Sequence, residues 1–473
     1  MKISVSNFKA IKTLDLFPIE KINILAGVNS GGKSSLIQLL LLLKQSIDAR
    51  SAESPLKLNR PYISLGKFEN ILRKGAGEDA LSFTILLDSK ELPGFLRRIK
   101  VPMDKSSSSA RTISQVSISA SFKRSADRIV VQRFSIELVG EHETAYLALE
   151  RNHHGKSYSL DTNAFGWFFQ TDEMPMKLRR ESVQVVFFSF FPDYISSGED
   201  EYYGSRLIDQ SRIALQRIFS RISYLGPLRE EPRDFYFQDD DQIEHIGNKG
   251  ENAAYILAKH SKDKTRYLRY SIDSNGIPTY QQDIGTLEEA VNHWMCDVFQ
   301  LGKQIRVETS KGNRYLYTVS LTGRDGIKVP ITHVGFGVSQ IFPILVEGLR
   351  PGPDGRLVIL EQPEIHLHPR VQSLLFDFVY SVSSNVSFLI ETHSDHLITR
   401  LRRRIAESHS DEIVHNLNLT FVEPVIGGVD YVRLGISDTG SLARWPDGFF
   451  DQYDADMRAL VRAQANKRIA KRN

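Results

Sequence analysis

The sequence predicts an α/β fold built on a buried parallel sheet. Three observations lead there. A buried strand, Ile22–Ala26, runs into a glycine-rich turn, Gly27-Val-Asn-Ser-Gly-Gly-Lys-Ser34, and then into an apolar helix from about Lys33 to Ser46. Far downstream, Arg356–Glu361 and Val386–Glu391 are short, very apolar segments that each end on an acid and lead into a polar turn. Such runs belong to a buried parallel sheet, and ligands of open α/β sheets sit at the carboxyl ends of the strands.

The elements follow in order. Lys2–Phe8 and Thr13–Phe17 alternate apolar and polar residues as a β-hairpin does. The helix after Gly32 is apolar on nearly all sides, which implies burial between a sheet and other elements. From about Leu81 to Leu160 the chain is rich in alternating β-type residues, and Tyr224–Pro232 (YLGPLREEP) returns it toward the core. Helices are expected near Glu251–Lys259 and Leu287–Phe299, and a second hairpin at Ile305–Thr309 and Tyr315–Thr322. The organisation expected is a head in two parts, residues 1–95 and 221–440, interrupted by a β-rich insertion at 96–220 and followed by a C-terminal segment and basic tail at 441–473. No heptad run is long enough for a long coiled coil.

Composition narrows the function classes. With 60 Lys+Arg against 57 Asp+Glu the net charge is only +3, which argues against a nucleic-acid coat protein but leaves room for a local basic patch. The single cysteine, Cys296, can form neither an intrachain disulfide nor a cysteine-built zinc site, so a reducing cytoplasm is expected. The N-terminus lacks the long apolar core of a signal peptide, and the longest apolar stretch, Leu36–Leu43, is too short to span a bilayer, so no membrane is expected.

Four motifs carry chemistry. In the glycine-rich turn, backbone N–H groups face the phosphates, Lys33 reaches the β- and γ-phosphates, and the Ser34 hydroxyl ligates Mg²⁺. Asn29, Ser30, Gly31, Gly32, Lys33, Ser34 and Ser35 are therefore the candidate nucleotide-binding residues, with ATP and Mg²⁺ as the ligands. The strand ending at Glu361 delivers a carboxylate to hold the metal's hydration shell. The next residue, Gln362, can orient water but accepts no proton as a base, so either hydrolysis is slow or Glu364 supplies the carboxylate. His393, in Glu391-Thr-His-Ser394, follows the second strand, where a neutral imidazole can donate to a γ-phosphate. The last motif, His333-Val-Gly-Phe-Gly-Val-Ser339-Gln340, places small residues at a helix start, where free N–H groups bind phosphate.

Taken in order, GVNSGGKS, YLGPLR, VGFGVSQ, LEQPEIHLHP and ETHS resemble the OLD-like, SMC-related AAA ATPases of bacteria, over roughly residues 1–95 and 220–460. The segment Trp445–Met457 resembles the uncharacterised C-terminal segment of one subgroup. The resemblance implies a P-loop NTPase with an ABC-ATPase-like head. It also implies a homodimer or larger homo-oligomer that sandwiches two ATP molecules, Ser339 touching the phosphate held by the other subunit and His393 acting as switch. Where this chain has Gln362, such heads more commonly have glutamate. ATPases of this kind are often found in antiviral defence beside a separate effector, such as a nuclease or toxin; the short stretch after Ser394 leads us to expect no nuclease within this chain.

Other readings weigh against this one. A nucleotide-gated scaffold with little hydrolysis is favoured by Gln362. A DNA-maintenance ATPase would use Arg400–Arg404 (RLRRR) or the basic tail to touch DNA phosphates, the alternative for the tail being a disordered terminus. A transporter subunit is opposed by the loose signature and large insertion. A metal-dependent nuclease would use Glu364, His366 and His368.

Overall fold

In the computed structural model, five strands form the parallel core of the sheet. Their order is Ile222–Leu225, Arg356–Glu361, Val386–Glu391, Ile22–Gly27 and Leu417–Val425. The structure describes residues 1–28, 31–49, 53–75, 80–102, 108–141, 143–152, 156–164, 168, 178–197, 200–203, 206–238, 243–274, 277–310, 312–353, 355–408, 410–444 and 452–470. The strand Val386–Glu391 therefore lies between the one that precedes the glycine-rich turn and the one that ends on Glu361. Its register puts Glu361 opposite Glu391, and Glu391 opposite Leu25.

The three central strands, Arg356–Glu361, Val386–Glu391 and Ile22–Gly27, are buried on both faces, which is why their runs are largely apolar. Side chains alternate between two cores. Leu25, Leu357, Ile359 and Leu389 join the P-loop helix Lys33–Ala49, while Ile24, Val358, Leu360 and Ile390 face the helices on the other side. The P-loop helix buries leucines and isoleucines around its whole circumference, so it is clamped on all sides and its first turn is fixed against the sheet.

The first core extends into antiparallel β-structure. The hairpin Lys2–Phe8/Ile11–Pro18 pairs through its first strand with Leu81–Asp88, which pairs with Ser108–Ser125. The ladder continues through Arg128–Gly140, Thr144–Arg151, Tyr158–Thr162 and Leu178–Phe188. Thus the β-rich stretch is hydrogen-bonded in continuity with the N-terminal hairpin.

The second core holds Ala253–His260, Phe336–Leu349, Pro369–Val382 and Asp395–Glu407, all α-helical. The helix expected over Leu287–Phe299 begins as an α-turn capped by Thr286 and Glu289, then widens into a π-helix over His293–Val298. The basic tail, for which a disordered terminus is the alternative to DNA contact, continues the helix Gln452–Ala470 as far as Ala470, the helix's described side chains being exposed; residues 471–473 lie outside the described residues. Among the described residues no helix is long and apolar enough to cross a membrane.

Candidate functional site

The carboxyl ends of the parallel strands bring the sequence motifs together. Gly32 has φ +83°, and a Cβ there would come within 2.9 Å of Val429 and 3.0 Å of Ala10, so the turn demands glycine on both conformational and steric grounds. Tyr431 supports the same turn by donating its hydroxyl to the Gly32 carbonyl at 2.9 Å. Asn29 and Ser30 lie outside the described residues. Gly31 closes the turn through its N–H to Val28 O at 3.2 Å, and the Ser35 N–H donates to Gly32 O at 3.0 Å, which starts the helix.

Lys33 is buried, and its ammonium donates to Gly27 O at 3.0 Å and Val28 O at 2.7 Å, curled back over its own loop. Burial lowers its pKa below the usual lysine value, against the opposing pull of Glu391 and Glu364. Ser34 donates its hydroxyl to Glu391 Oε1 at 3.0 Å, while Glu391 Oε2 is buried with no hydrogen-bond donor.

Glu361 ends the neighbouring strand, accepts from the Tyr224 hydroxyl at 3.1 Å, and is pushed up to about 7, first by burial and then by the charge of Glu391. Gln362 turns the chain with φ 45°, a left-handed conformation uncommon outside glycine, and its N–H donates to Glu391 O at 2.8 Å. That turn aims the buried Glu364 at the switch segment: its Oε1 accepts from the His393 N–H at 2.6 Å, and its Oε2 has no donor. Burial raises the Glu364 carboxyl above the ordinary range. His393 is lowered by burial and by Lys33, which keeps its imidazole neutral near pH 7.

Ser339 stands apart from this cluster. It lies in the first turns of the helix Phe336–Leu349, donates to Phe336 O at 2.8 Å, and walls a small crevice with Glu230, Tyr236 and Lys249. The helix start sits beside the turn after Glu364, with the rings of Phe336 and His366 5.8 Å apart. His366 and His368 serve that local geometry. His366 makes the turn at φ 61°, and His368 caps the helix Pro369–Val382 by accepting from the Arg370 N–H at 3.3 Å.

The donor set fits a hydrated Mg²⁺ bound with a triphosphate. Two buried carboxylate oxygens await donors or a cation, a serine hydroxyl stands beside one of them, and a buried ammonium waits in the turn. Mg²⁺ keeps several waters and takes substrate phosphate oxygens, so one or two protein oxygens such as these would hold it.

Three residues of the cluster were not among the sequence candidates. Glu391 had the same signal as Glu361, an acid at the end of an apolar strand. Tyr224 and Arg229 come from YLGPLR, whose only local signal was a turn after a strand; Arg229 donates to Gly226 O and, at 3.3 Å, to the backbone carbonyl of Glu361. The arginine cluster turns largely inward. Arg400 and Arg404 pair with the fully buried Asp377 at 2.7 and 2.6 Å, which removes two guanidiniums from any phosphate-binding role.

Fold and site together are those of a P-loop NTPase with an ABC-ATPase-like head. The chain belongs to the AAA ATPase domain family, whose profile matches residues 1–398. Residues 425–460 match a second profile, described as a protein of unknown function (DUF3696). Similar solved structures include an SMC head bound to the C-winged helix domain of ScpA, at 12% identity and TM-score 0.41, covering 92% of this chain and 97% of that one. The SMC head domain from Thermotoga maritima matches at 10% identity and TM-score 0.39, over 92% and 98%. An Smc head with an extended coiled coil, bound to the C-terminal domain of ScpA derived from Pyrococcus furiosus, matches at 11% identity and TM-score 0.41, over 92% and 96%. No curated protein matches the chain.

Proposed function

We propose that the chain is a cytoplasmic ATPase switch that closes as a homodimer around Mg²⁺–ATP and controls a separate effector protein, in bacterial antiviral defence. The observation that supports this most is the Ser34–Glu391 bond beside Lys33 and Glu361, with carboxylate oxygens left free at the strand ends. In this reading Asn29 to Ser35 hold the phosphates, Ser34 and Glu361 hold the metal's shell, and His393 donates to the γ-phosphate. Ser339 of a second copy reads that phosphate from across the dimer. The two-part head, the β-rich insertion at 96–220 and the segment after 440 follow the same scheme, the insertion passing the change to the effector.

Since Gln362 accepts no proton, Glu364 is the base. Hydrolysis forms a bond from a water oxygen to the γ-phosphorus and sends that water's proton to Glu364. The bond to the β–γ bridging oxygen breaks, and that oxygen leaves with the bonding pair as part of ADP. Mg²⁺ supplies charge neutralisation on the phosphate oxygens when bound. A general base contributes about 10²- to 10⁴-fold, so Glu364→Gln lowers kcat by that order with ATP still bound. Steady-state turnover and sedimentation with ATP test the reading. Turnover and ATP-dependent dimers support it; a Glu364→Gln protein as fast as the parent refutes the base.

A second reading, a nucleotide-gated scaffold with little hydrolysis, draws on the Gln362 substitution. Tight ATP binding with dimerisation but turnover no faster than that of Lys33→Ala would favour it.

A further inference from the structure

Arg229 is the charged side chain at the site that the scheme above does not use. It is 93% withdrawn from solvent, with a relative exposure of 7%. One of its terminal nitrogens donates to Gly226 O and Glu361 O, but its Nε and second terminal nitrogen are buried with no acceptor. Leaving a guanidinium half-satisfied in a low-dielectric setting is costly, and native proteins rarely do so without a use for the group. Nearby, Glu364 shows the converse defect: one oxygen is held by the His393 N–H, and the other, equally buried, has no donor. Arg229 reaches the backbone carbonyl of Glu361 at 3.3 Å, at the start of the turn that presents Glu364, and across it each group biases the other's ionisation in the direction of an ion pair. Their other polar neighbours are Tyr224 and Glu361 on the arginine side, and Lys33, Glu391 and the Thr392 hydroxyl on the glutamate side.

We propose that Arg229 is a positioning residue for Glu364: its free N–H groups take the free Glu364 oxygen when the head closes on nucleotide, and so aim the carboxylate at the attacking water. Bidentate guanidinium–carboxylate pairs fix a plane as well as a distance, which donors to one side of the carboxylate do not. The chain also supplies the means of actuation. One residue beyond Arg229, Glu230 walls the crevice beside Ser339, and Gly250 in the same crevice packs so tightly on Pro343 of the helix Phe336–Leu349 that a Cβ there would lie 2.6 Å from it. A shift of the helix Phe336–Leu349 on dimerisation therefore reaches Arg229 through one peptide unit. With Gln362 at the position next to the metal-holding acid, this pairing is how a more distant glutamate is brought to act.

The inference rests on Glu364 being the base, and the test separates the two claims. Turnover and ATP affinity are measured for the full chain, for Arg229→Met and Arg229→Lys, and for each in a Glu364→Asp background, with thermal melts to establish folding. Arg229→Met is expected to lower kcat by about tenfold or more with the ATP Kd within about twofold, and Arg229→Lys to recover part of the loss. In the Glu364→Asp background, where the carboxylate is already withdrawn, the same substitution is expected to cost less than about threefold, because residues acting as a unit are non-additive. Equal losses in both backgrounds, or a weakened Kd with kcat unchanged, overturn the positioning role and leave the ATPase standing. Wild-type turnover no greater than that of Lys33→Ala overturns the hydrolytic reading and this inference with it.

Discussion

Buried charge is handled in opposite ways in two parts of the second core and its edge. Behind the site, Asp377 accepts from Arg404 Nε at 2.6 Å, Tyr280 at 2.8 Å and Arg400 Nε at 2.8 Å. Glu347 is likewise filled by Ser223 at 2.7 Å and by Arg350 at 2.8 Å, with Arg356 beside it at 3.3 Å. At the strand ends, Glu364, Glu391 and Arg229 each keep buried polar atoms without partners. Paired carboxylates join helices to strands and hairpins; unpaired ones tolerate their desolvation only where a ligand or a moving group will meet them. Both sets are buried and charged, so for these groups hydrogen-bond satisfaction distinguishes framework from site.

Four substitutions or probes sharpen or break that contrast. Asp377→Ala takes the carboxylate from Arg400 and Tyr280 and leaves Arg404 with Glu407 alone, and should cost about 3–5 kcal/mol in urea unfolding, with ATP affinity nearly unchanged. A loss of ATP affinity as large as the loss of stability would erase the distinction. Gly32→Ala meets both a left-handed φ and the Val429 side chain, for about 1–2 kcal/mol, and Val429→Ala in the same chain should return the steric part. Glu391→Gln removes a charge that burial already disfavours, so the ligand-free protein should melt slightly higher, a gain of about 1 kcal/mol, while the added stability from Mg²⁺–ATP disappears. A lower melting point would mark Glu391 as framework instead.

The smallest effect concerns Cys296, a neutral group in the closed core. Burial disfavours its thiolate and pushes the thiol up to about 11, so native alkylation by iodoacetamide should stay slow through pH 8.5 and accelerate only toward pH 11. The urea-unfolded chain should react with the midpoint of an ordinary thiol, near pH 8.5. Fast native reaction at pH 8 would mean that this core opens readily.

Much of the site could be read from sequence because its strands announce themselves. Ile22–Gly27, Arg356–Glu361 and Val386–Glu391 are continuous apolar runs, and an acid or glycine at the end of such a run points to one place in the fold. Arg229 could not be read this way, since its partner Glu361 lies 132 residues on and its own surroundings signal only a turn. RLRRR misled for a related reason. Charge counting does not know partners, yet the i, i+4 spacing of Arg400 and Arg404 puts both on one helical face, and that face meets Asp377. The π-turn at His293–Val298 was hidden because its pitch departs from the 3.6-residue period used to recognise the helix.

The central claim is that a triphosphate is gripped at the turn holding Lys33. Calorimetric titration of ATP with Mg²⁺ into the parent and Lys33→Ala proteins tests it most directly. The account predicts binding weakened by about 100-fold or more, near 3 kcal/mol, in a variant whose unliganded melting point matches the parent's. Equal affinity in the two proteins would contradict it.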